Sequence, residues 1–245
     1  MGRGVSPLTP LKDGFFRFAD FVAGGAEIRQ FVHLSPILTA IRPQKAEIIK
    51  LYSTMNYLAH LYLAEDSPKS LLGNLLGDFI KGRSIDAYCD EIKKGIQLHQ
   101  RVDRYTDLHP VFHESKRLIS PVNRRYAGII IDIFYDHFLA KNWLSYSSIP
   151  LEEFTRNVYK ILHTYEAILP DSLKRVLPNI TRRNLLMSYA ELQGMKVVLE
   201  RISVRLKREN HLVSALDDLT ANYERFESDF SLFFPDLIDY VQALR

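Results

Sequence analysis

The sequence predicts an all-α fold, a helical bundle, on three observations. From Met55 onward, apolar residues recur at spacings of three and four, the repeat of an amphipathic helix. No stretch alternates apolar and polar residues as a half-buried strand does, and no glycine-rich phosphate loop or internal repeat interrupts the pattern. Prolines at 68, 110, 121, 150, 170, 178 and 235 punctuate the periodic segments and mark their starts and stops.

Each segment has its own justification. Residues 1–54 differ from the rest. They hold five glycines and four prolines without a sustained period, and are expected to be an N-terminal extension, a flexible arm or the product of an upstream start site. No continuous apolar run precedes a small-residue cleavage site, which argues against a signal peptide. Residues 55–245 are expected to form a single helical domain. Its first segment is Met55-Asn-Tyr-Leu-Ala-His-Leu-Tyr-Leu-Ala. Ser67-Pro68 then supplies an N-cap and a first-turn proline. Leu71, Leu72, Leu75, Leu76, Phe79 and Ile80 form a wide apolar stripe that ends near Lys81-Gly82. A further helix runs from about Ile85 to Asp107 and is stopped by Pro110. The stretch from Tyr126 to Trp143 is apolar on nearly all sides, as a central buried helix is. Helices over 151–168, 181–210 and 212–230 complete the reading.

Composition narrows the function classes. The chain has 245 residues, of which 47% are hydrophobic and 25% charged, an ordinary globular balance. Cys89 is the only cysteine, which excludes an intrachain disulfide and a cysteine-based zinc cluster and fits a reducing, cytoplasmic setting. No apolar run approaches the roughly 20 residues that span a bilayer. The formal charge of +3 argues little for nucleic acid, because seven Lys/Arg against four Asp/Glu in residues 1–54 account for all of it. Charge is uneven elsewhere. Asp171–His211 holds nine Lys/Arg and four acids, and Lys116, Arg117, Arg124 and Arg125 form a second basic group.

Four segments place ionisable residues where a core side chain belongs. At 100° per residue, His99, Asp103 and Asp107 fall within about 60° of the apolar face set by Ile92 and Ile96. His60 lies among apolar neighbours, and Asp78 at the edge of its helix's stripe. Asp132 and Asp136 are an i, i+4 pair on the apolar helix, where two like charges repel. The plainer alternatives remain open at this point: a satisfied core histidine at 60, a surface carboxylate at 78, and arginine partners (Arg101, Arg104 or Arg125) for the 132/136 pair. A shared divalent ion accounts for all four segments together. Carboxylate-rich sets of this kind suit Mn²⁺ or Mg²⁺, and such an ion assists hydrolysis of phosphoesters.

At these residues the chain resembles the acyl carrier protein phosphodiesterase family. The resemblance rests on Met55-Asn-Tyr-Leu-Ala-His-Leu-Tyr-Leu-Ala, Gly73-Asn-Leu-Leu-Gly-Asp-Phe, Gly95-Ile-Gln-Leu-His-Gln-Arg-Val-Asp-Arg-Tyr-Thr-Asp and Asp132-Ile-Phe-Tyr-Asp-His-Phe-Leu. It implies a distorted HD-domain-like bundle, although no histidine here is followed directly by aspartate. It further implies Mn²⁺- or Mg²⁺-dependent hydrolysis of the phosphodiester that joins 4′-phosphopantetheine to a serine of holo-acyl carrier protein, releasing apo-protein. An HD-like phosphohydrolase of a nucleotide or another small phosphoester is the alternative. By position, the resemblance implies His60, Asp78, His99 and Asp132 as metal ligands. Asp78, Asp103 and Asp136 would be catalytic, the last two orienting ligand imidazoles or taking up a proton. Asp107, His109 and His137 are weaker candidates. The carrier protein is small and acidic, so Arg182, Arg183, Arg201, Arg205 and Arg208, or the 116–125 group, are expected to dock it.

Overall fold

The structure is a computed structural model that describes residues 57–80, 82–204, 206 and 208–245. The expected N-terminal extension, residues 1–54, lies outside the described residues, as does Arg205. Eleven α-helices and no strand occur among the described residues. In chain order they are α1 (Tyr57–Tyr62), α2 (Pro68–Leu76), α3 (Asp90–Leu108), α4 (Pro110–Arg117), α5 (Ala127–Lys141) and α6 (Leu151–Thr164). They continue with α7 (Asp171–Arg182), α8 (Leu185–Ser188), α9 (Leu192–Ser203), α10 (Ala215–Ala221) and α11 (Tyr223–Gln242). None of them is long and apolar enough to cross a membrane.

α2 begins as its sequence requires. The Ser67 hydroxyl accepts from the Ser70 N–H at 3.1 Å, and Pro68 occupies the first turn, where its missing N–H costs nothing. Ser67 Oγ also donates to Glu91, and Lys69 Nζ lies 3.2 Å from the other oxygen of that carboxylate, so the starts of α2 and α3 are tied together. The two helices then run side by side in unusually close contact. A Cβ on Gly73 would stand 2.3 Å from the Ile92 carbonyl oxygen and 2.8 Å from the Gly95 Cα. Backbone meets backbone here, and only glycine at both positions permits it. Gly73→Ala should therefore force α2 and α3 apart and destabilise the fold by about 2–3 kcal/mol, read from urea unfolding. An unchanged midpoint would show that the crossing is slack.

α5 is the central helix, with Ile130, Ile131 and every residue from Ile133 to Ala140 buried. Phe134, Phe138, Phe226, Phe230 and Phe234 fill the space between α5 and α11, with Phe230 and Phe234 stacked at 5.1 Å. The polar groups in this core are satisfied locally. Ser115 Oγ donates to Asp229 at 2.8 Å and lies 2.8 Å from the Tyr135 hydroxyl, while Arg225 Nε donates to the same aspartate at 2.9 Å. That network joins α4, α5 and α11.

Several expected boundaries move: the helix expected from Ile85 starts at Asp90, and the one expected over 151–168 ends at Thr164. The helix expected over 181–210 breaks at Asn184, whose left-handed backbone (φ 44°) separates α7 from α8, and again between Ser188 and Leu192, before α9. Asparagine is the side chain that tolerates this region best after glycine. The helix expected over 212–230 is two, α10 and α11, separated at Asn222, and α11 runs on to Gln242 with Pro235 inside it. Its apolar face, Phe226, Phe230, Phe233, Phe234, Leu237 and Val241, remains buried across the proline, and that burial outweighs one lost backbone bond.

Candidate metal centre

α1, α2 and α3 converge so that two imidazoles and two carboxylates meet. His60 and His99 are 1% and 2% exposed, and their rings stack at 3.8 Å with planes 23° apart. Asp103, one turn beyond His99 on α3, bridges them. Its Oδ1 lies 3.1 Å from His60 Nε2 and its Oδ2 lies 3.3 Å from His99 Nε2. Asp78, just past the end of α2, brings Oδ1 to 3.4 Å from the same His99 nitrogen. Gly77 makes this approach feasible, because the His99 ring lies directly against its Cα, where a Cβ would overlap the ring at 2.2 Å. The register of α2 on α3, fixed upstream at Gly73 and Gly95, thus sets the distance between Asp78 and His99.

The electrostatics of the group are those of a site that holds positive charge. Burial lowers the pKa of His99, but the carboxylates of Asp103 and Asp78 outweigh it and lift that pKa to about 10. Burial opposes charge on Asp103 as well, yet the contacts with His60 and His99 hold its carboxyl well below the usual range. His60 goes the other way: burial, and then the neighbouring His99 charge, lower its pKa. Two stacked imidazoles do not both take a proton.

A divalent cation fits the same donors. His60, His99 and Asp103 each offer a ligand atom, and these atoms all lie within 4.8 Å of one another. Ligand bonds of about 2.1 Å put neighbouring octahedral ligand atoms about 3 Å apart, close to the 3.1–3.4 Å contacts here. Neither His60 nitrogen makes an aligned hydrogen bond, since the 3.1 Å approach of Asp103 is off-line, and His99 Nδ1 is likewise buried without one. Asp103 keeps 45% of its side chain exposed, which leaves the group open to solvent on that side.

The remaining candidates lie elsewhere. Asp136 is fully buried and turned toward the start of α1, where its Oδ2 and Oδ1 each accept, at 2.9 Å, from the Leu58 and Ala59 N–H groups. It caps the helix that carries His60 and does not join the imidazoles. Burial pushes its carboxyl up to about 8, against the pull of those two bonds. Asp132 is not in the three-residue group either. It lines a small cavity with Ala59, Thr106 and Asp136, and its carboxyl is raised well above the usual range by burial and then by the charges of Asp103 and Asp136. Asp107 is exposed, because the buried stripe of α3 runs through Ile92, Ile96, His99, Val102 and Thr106 and leaves Asp107 off its edge. His109 Nε2 lies 3.3 Å from Asp236, on the side of α11. His137 is structural: Nδ1 donates to the Tyr189 carbonyl at 2.7 Å and Nε2 accepts from the Tyr223 hydroxyl at 2.9 Å. A cavity of about 690 Å³, walled by Leu61, Leu71, Trp143, Phe154 and Val158, contains none of the four convergent residues.

Residues 55–237 match the family model described as acyl carrier protein phosphodiesterase. The chain belongs to the acyl carrier protein phosphodiesterase family. Curated relatives agree. A protein of that name from Enterobacter sp. (strain 638) is 37% identical over 193 residues, covering 77% of this chain and 97% of the relative. One from Pectobacterium atrosepticum is 35% identical over 190 residues, covering 77% and 98%, and one from Escherichia coli O6:H1 is 34% identical over 190, covering 76% and 96%. No solved structure matches the chain. The family match starts where the helical periodicity starts and encloses His60, Asp78, His99 and Asp103.

Proposed function

We propose that this protein is a divalent-ion-dependent phosphodiesterase that removes 4′-phosphopantetheine from the serine of holo-acyl carrier protein. One observation carries the reading: the only three-residue ligand group found among the described residues lies inside the stretch matched to the family. His60, His99 and Asp103, with Asp78 beside them, would hold the ion, Mn²⁺ or Mg²⁺. Asp103 thus moves from an orienting role to a direct one. Asp132, adjacent in charge but outside the group, is assigned to its acidic surroundings. The bound ion supplies a Lewis acid for a phosphoryl oxygen and lowers the pKa of water beside it. The protein's own part is orientation. Asp103 holds both imidazoles in one plane of approach, Gly77 lets His99 reach Asp78, and the buried floor of α1 and α3 keeps water to the open side. The lone cysteine and the acidic carrier substrate are in keeping with a cytoplasmic enzyme.

The test is a mass-shift assay of holo-acyl carrier protein with Mn²⁺, run with wild type and Asp78→Ala. Loss of the phosphopantetheine mass with wild type alone is expected. Release of phosphate from a nucleotide panel, with the carrier left intact, would overturn the reading.

Two further outcomes follow from the same geometry. Asp103 and Asp78 favour a proton on His99, lifting its pKa to about 10, and His99 would have to give that proton up in order to hold an ion. Below that value Mn²⁺ affinity should rise with pH, by about tenfold per unit for one proton released. Calorimetric titrations at pH 6, 7 and 8 check this, and a flat profile would mean that His99 is not displaced. The arginines offered to an acidic partner are also part of this proposal. Arg182 and Arg183 are exposed at the end of α7, and Arg201 and Arg208 follow on and after α9. Arg182→Glu with Arg183→Glu should lower kcat/KM for the carrier a few-fold at low salt and much less at 0.5 M salt.

A further inference from the structure

We infer that the pocket between the outer face of α3 and the residues after α11, walled by Lys94, Arg101 and Arg245, binds a phosphate dianion, the phosphomonoester or diphosphate group of a small molecule. The pocket is separate from the ion group. At 100° per residue, Lys94 and Arg101 stand about 180° and about 160° round α3 from Asp103, so the thickness of the helix, roughly 10 Å, lies between them and the ion's proposed ligands. A dianion held here stands whatever reaction those ligands perform.

Three elements build the pocket, whose volume is about 270 Å³. α3 contributes Lys94, Gln97 and Arg101, α2 contributes Ser70 from its first turn, and the segment after α11 contributes Arg245. Arg245 is fixed in place, since its Nη2 donates to the Leu63 and Ala64 carbonyls at 3.0 and 3.2 Å. Among the described residues Glu65 is the only acid in the lining, so its side chains set three positive charges against one negative. Neither Lys94 nor Arg101 has an ion pair among the described residues. Glu91, one turn before Lys94, is engaged instead by Ser67 and Lys69.

A buried donor adds an independent reason. Ser70 is 3% exposed and lines the same pocket. Its Oγ accepts from the Glu65 N–H at 3.1 Å, but its own O–H has no acceptor among the described residues. Buried donors ordinarily find one, and an anion's oxygen would supply it.

Charge and size set the ligand's class. An excess of two positive charges matches a phosphomonoester, which carries about −1.5 to −2 at pH 7, better than a carboxylate. Guanidinium groups also take phosphate oxygens in pairs. The volume is below the roughly 300–1,000 Å³ of sites that enclose a whole drug-sized ligand. It therefore suits a terminal phosphate or diphosphate, with the rest of the molecule outside.

The experiment is calorimetric titration of the full chain with pyrophosphate, inorganic phosphate, 4′-phosphopantetheine and pantetheine, with no divalent ion added so that the ion group cannot hold the anion. Saturable binding of one pyrophosphate per chain is expected. Lys94→Gln/Arg101→Gln should weaken it at least about 10-fold, because two charge-assisted contacts are lost, with the urea midpoint in anion-free buffer unaltered. Arg156→Gln/Lys160→Gln on α6 removes two cations elsewhere and should stay within twofold of wild type. Binding of 4′-phosphopantetheine as tight as that of pyrophosphate, with none of pantetheine, makes an organic phosphomonoester the ligand. Binding of the inorganic ions alone makes free phosphate or pyrophosphate the ligand. Absence of saturable pyrophosphate binding, undiminished binding in the α3 variant, or an equal loss in the α6 variant overturns the site, whether or not wild type hydrolyses the carrier.

Discussion

On the proposed function, Asp103→Ala should abolish Mn²⁺ binding and lower hydrolysis by on the order of 10³-fold or more. Asp103 is the residue through which the two imidazoles are joined: one oxygen serves His60 and the other His99. Without it, burial governs His99, whose pKa falls back, and the stacked rings keep only Asp78 on one edge. The ion then loses an anionic ligand and the alignment of two neutral ones. The fold should survive, because Asp103 is nearly half exposed and makes no contact that the helix needs. Calorimetric titration with Mn²⁺ and the carrier mass-shift assay, read beside an unaltered far-UV spectrum, test this. Retention of stoichiometric Mn²⁺ binding would remove Asp103 from the group. Asp103→Asn sharpens the result, since it keeps the shape and loses the charge.

Asp136→Ala acts by another route. Its carboxyl is 78 residues from Leu58 in sequence, yet it satisfies two N–H groups at the buried start of α1. Deleting it strands both donors and should cost about 3–5 kcal/mol of stability. α1 carries His60 within the same turn, so Mn²⁺ affinity should also fall, by about 10- to 100-fold, as when a group that orients a ligand is lost. At saturating Mn²⁺, kcat should recover to within a few-fold of wild type. That recovery separates a positioning residue from a catalytic one. A kcat that stays down on the order of 10³-fold in a stable protein would restore the direct role that the sequence suggested.

Much of this architecture is legible in the sequence, for identifiable reasons. Ser67-Pro68 announces a helix start through chemistry confined to four residues, and α5 announces its burial by being apolar all round. His99 and Asp103 are readable as a unit because i, i+4 spacing on one helix needs no tertiary information. The parts that were not legible depend on what a neighbouring helix does. Asp132 and Asp136 share a spacing that suggests a common cation, but one of them faces the N-terminus of α1, which no local pattern reveals. Asp107 sits on the same nominal face as Asp103, and only the packing partners of α3 decide that the buried stripe follows Val102 and Thr106 and leaves Asp107 outside. The break at Asn184 likewise has no glycine or proline to mark it.

The stacked imidazoles have a consequence for how charge is managed. The carboxylates of Asp103 and Asp78 favour a proton on His99 between them, so an ion bound there as proposed would exchange one positive charge for two. The net gain is one unit, and the field at the mouth of the site changes by half of what an empty acidic cage would produce. An approaching polyanionic partner would therefore meet a change of one unit of charge on loading, where an unprotonated acidic cage would present two, and the ionic-strength dependence of its encounter rate should differ between the two states by correspondingly less.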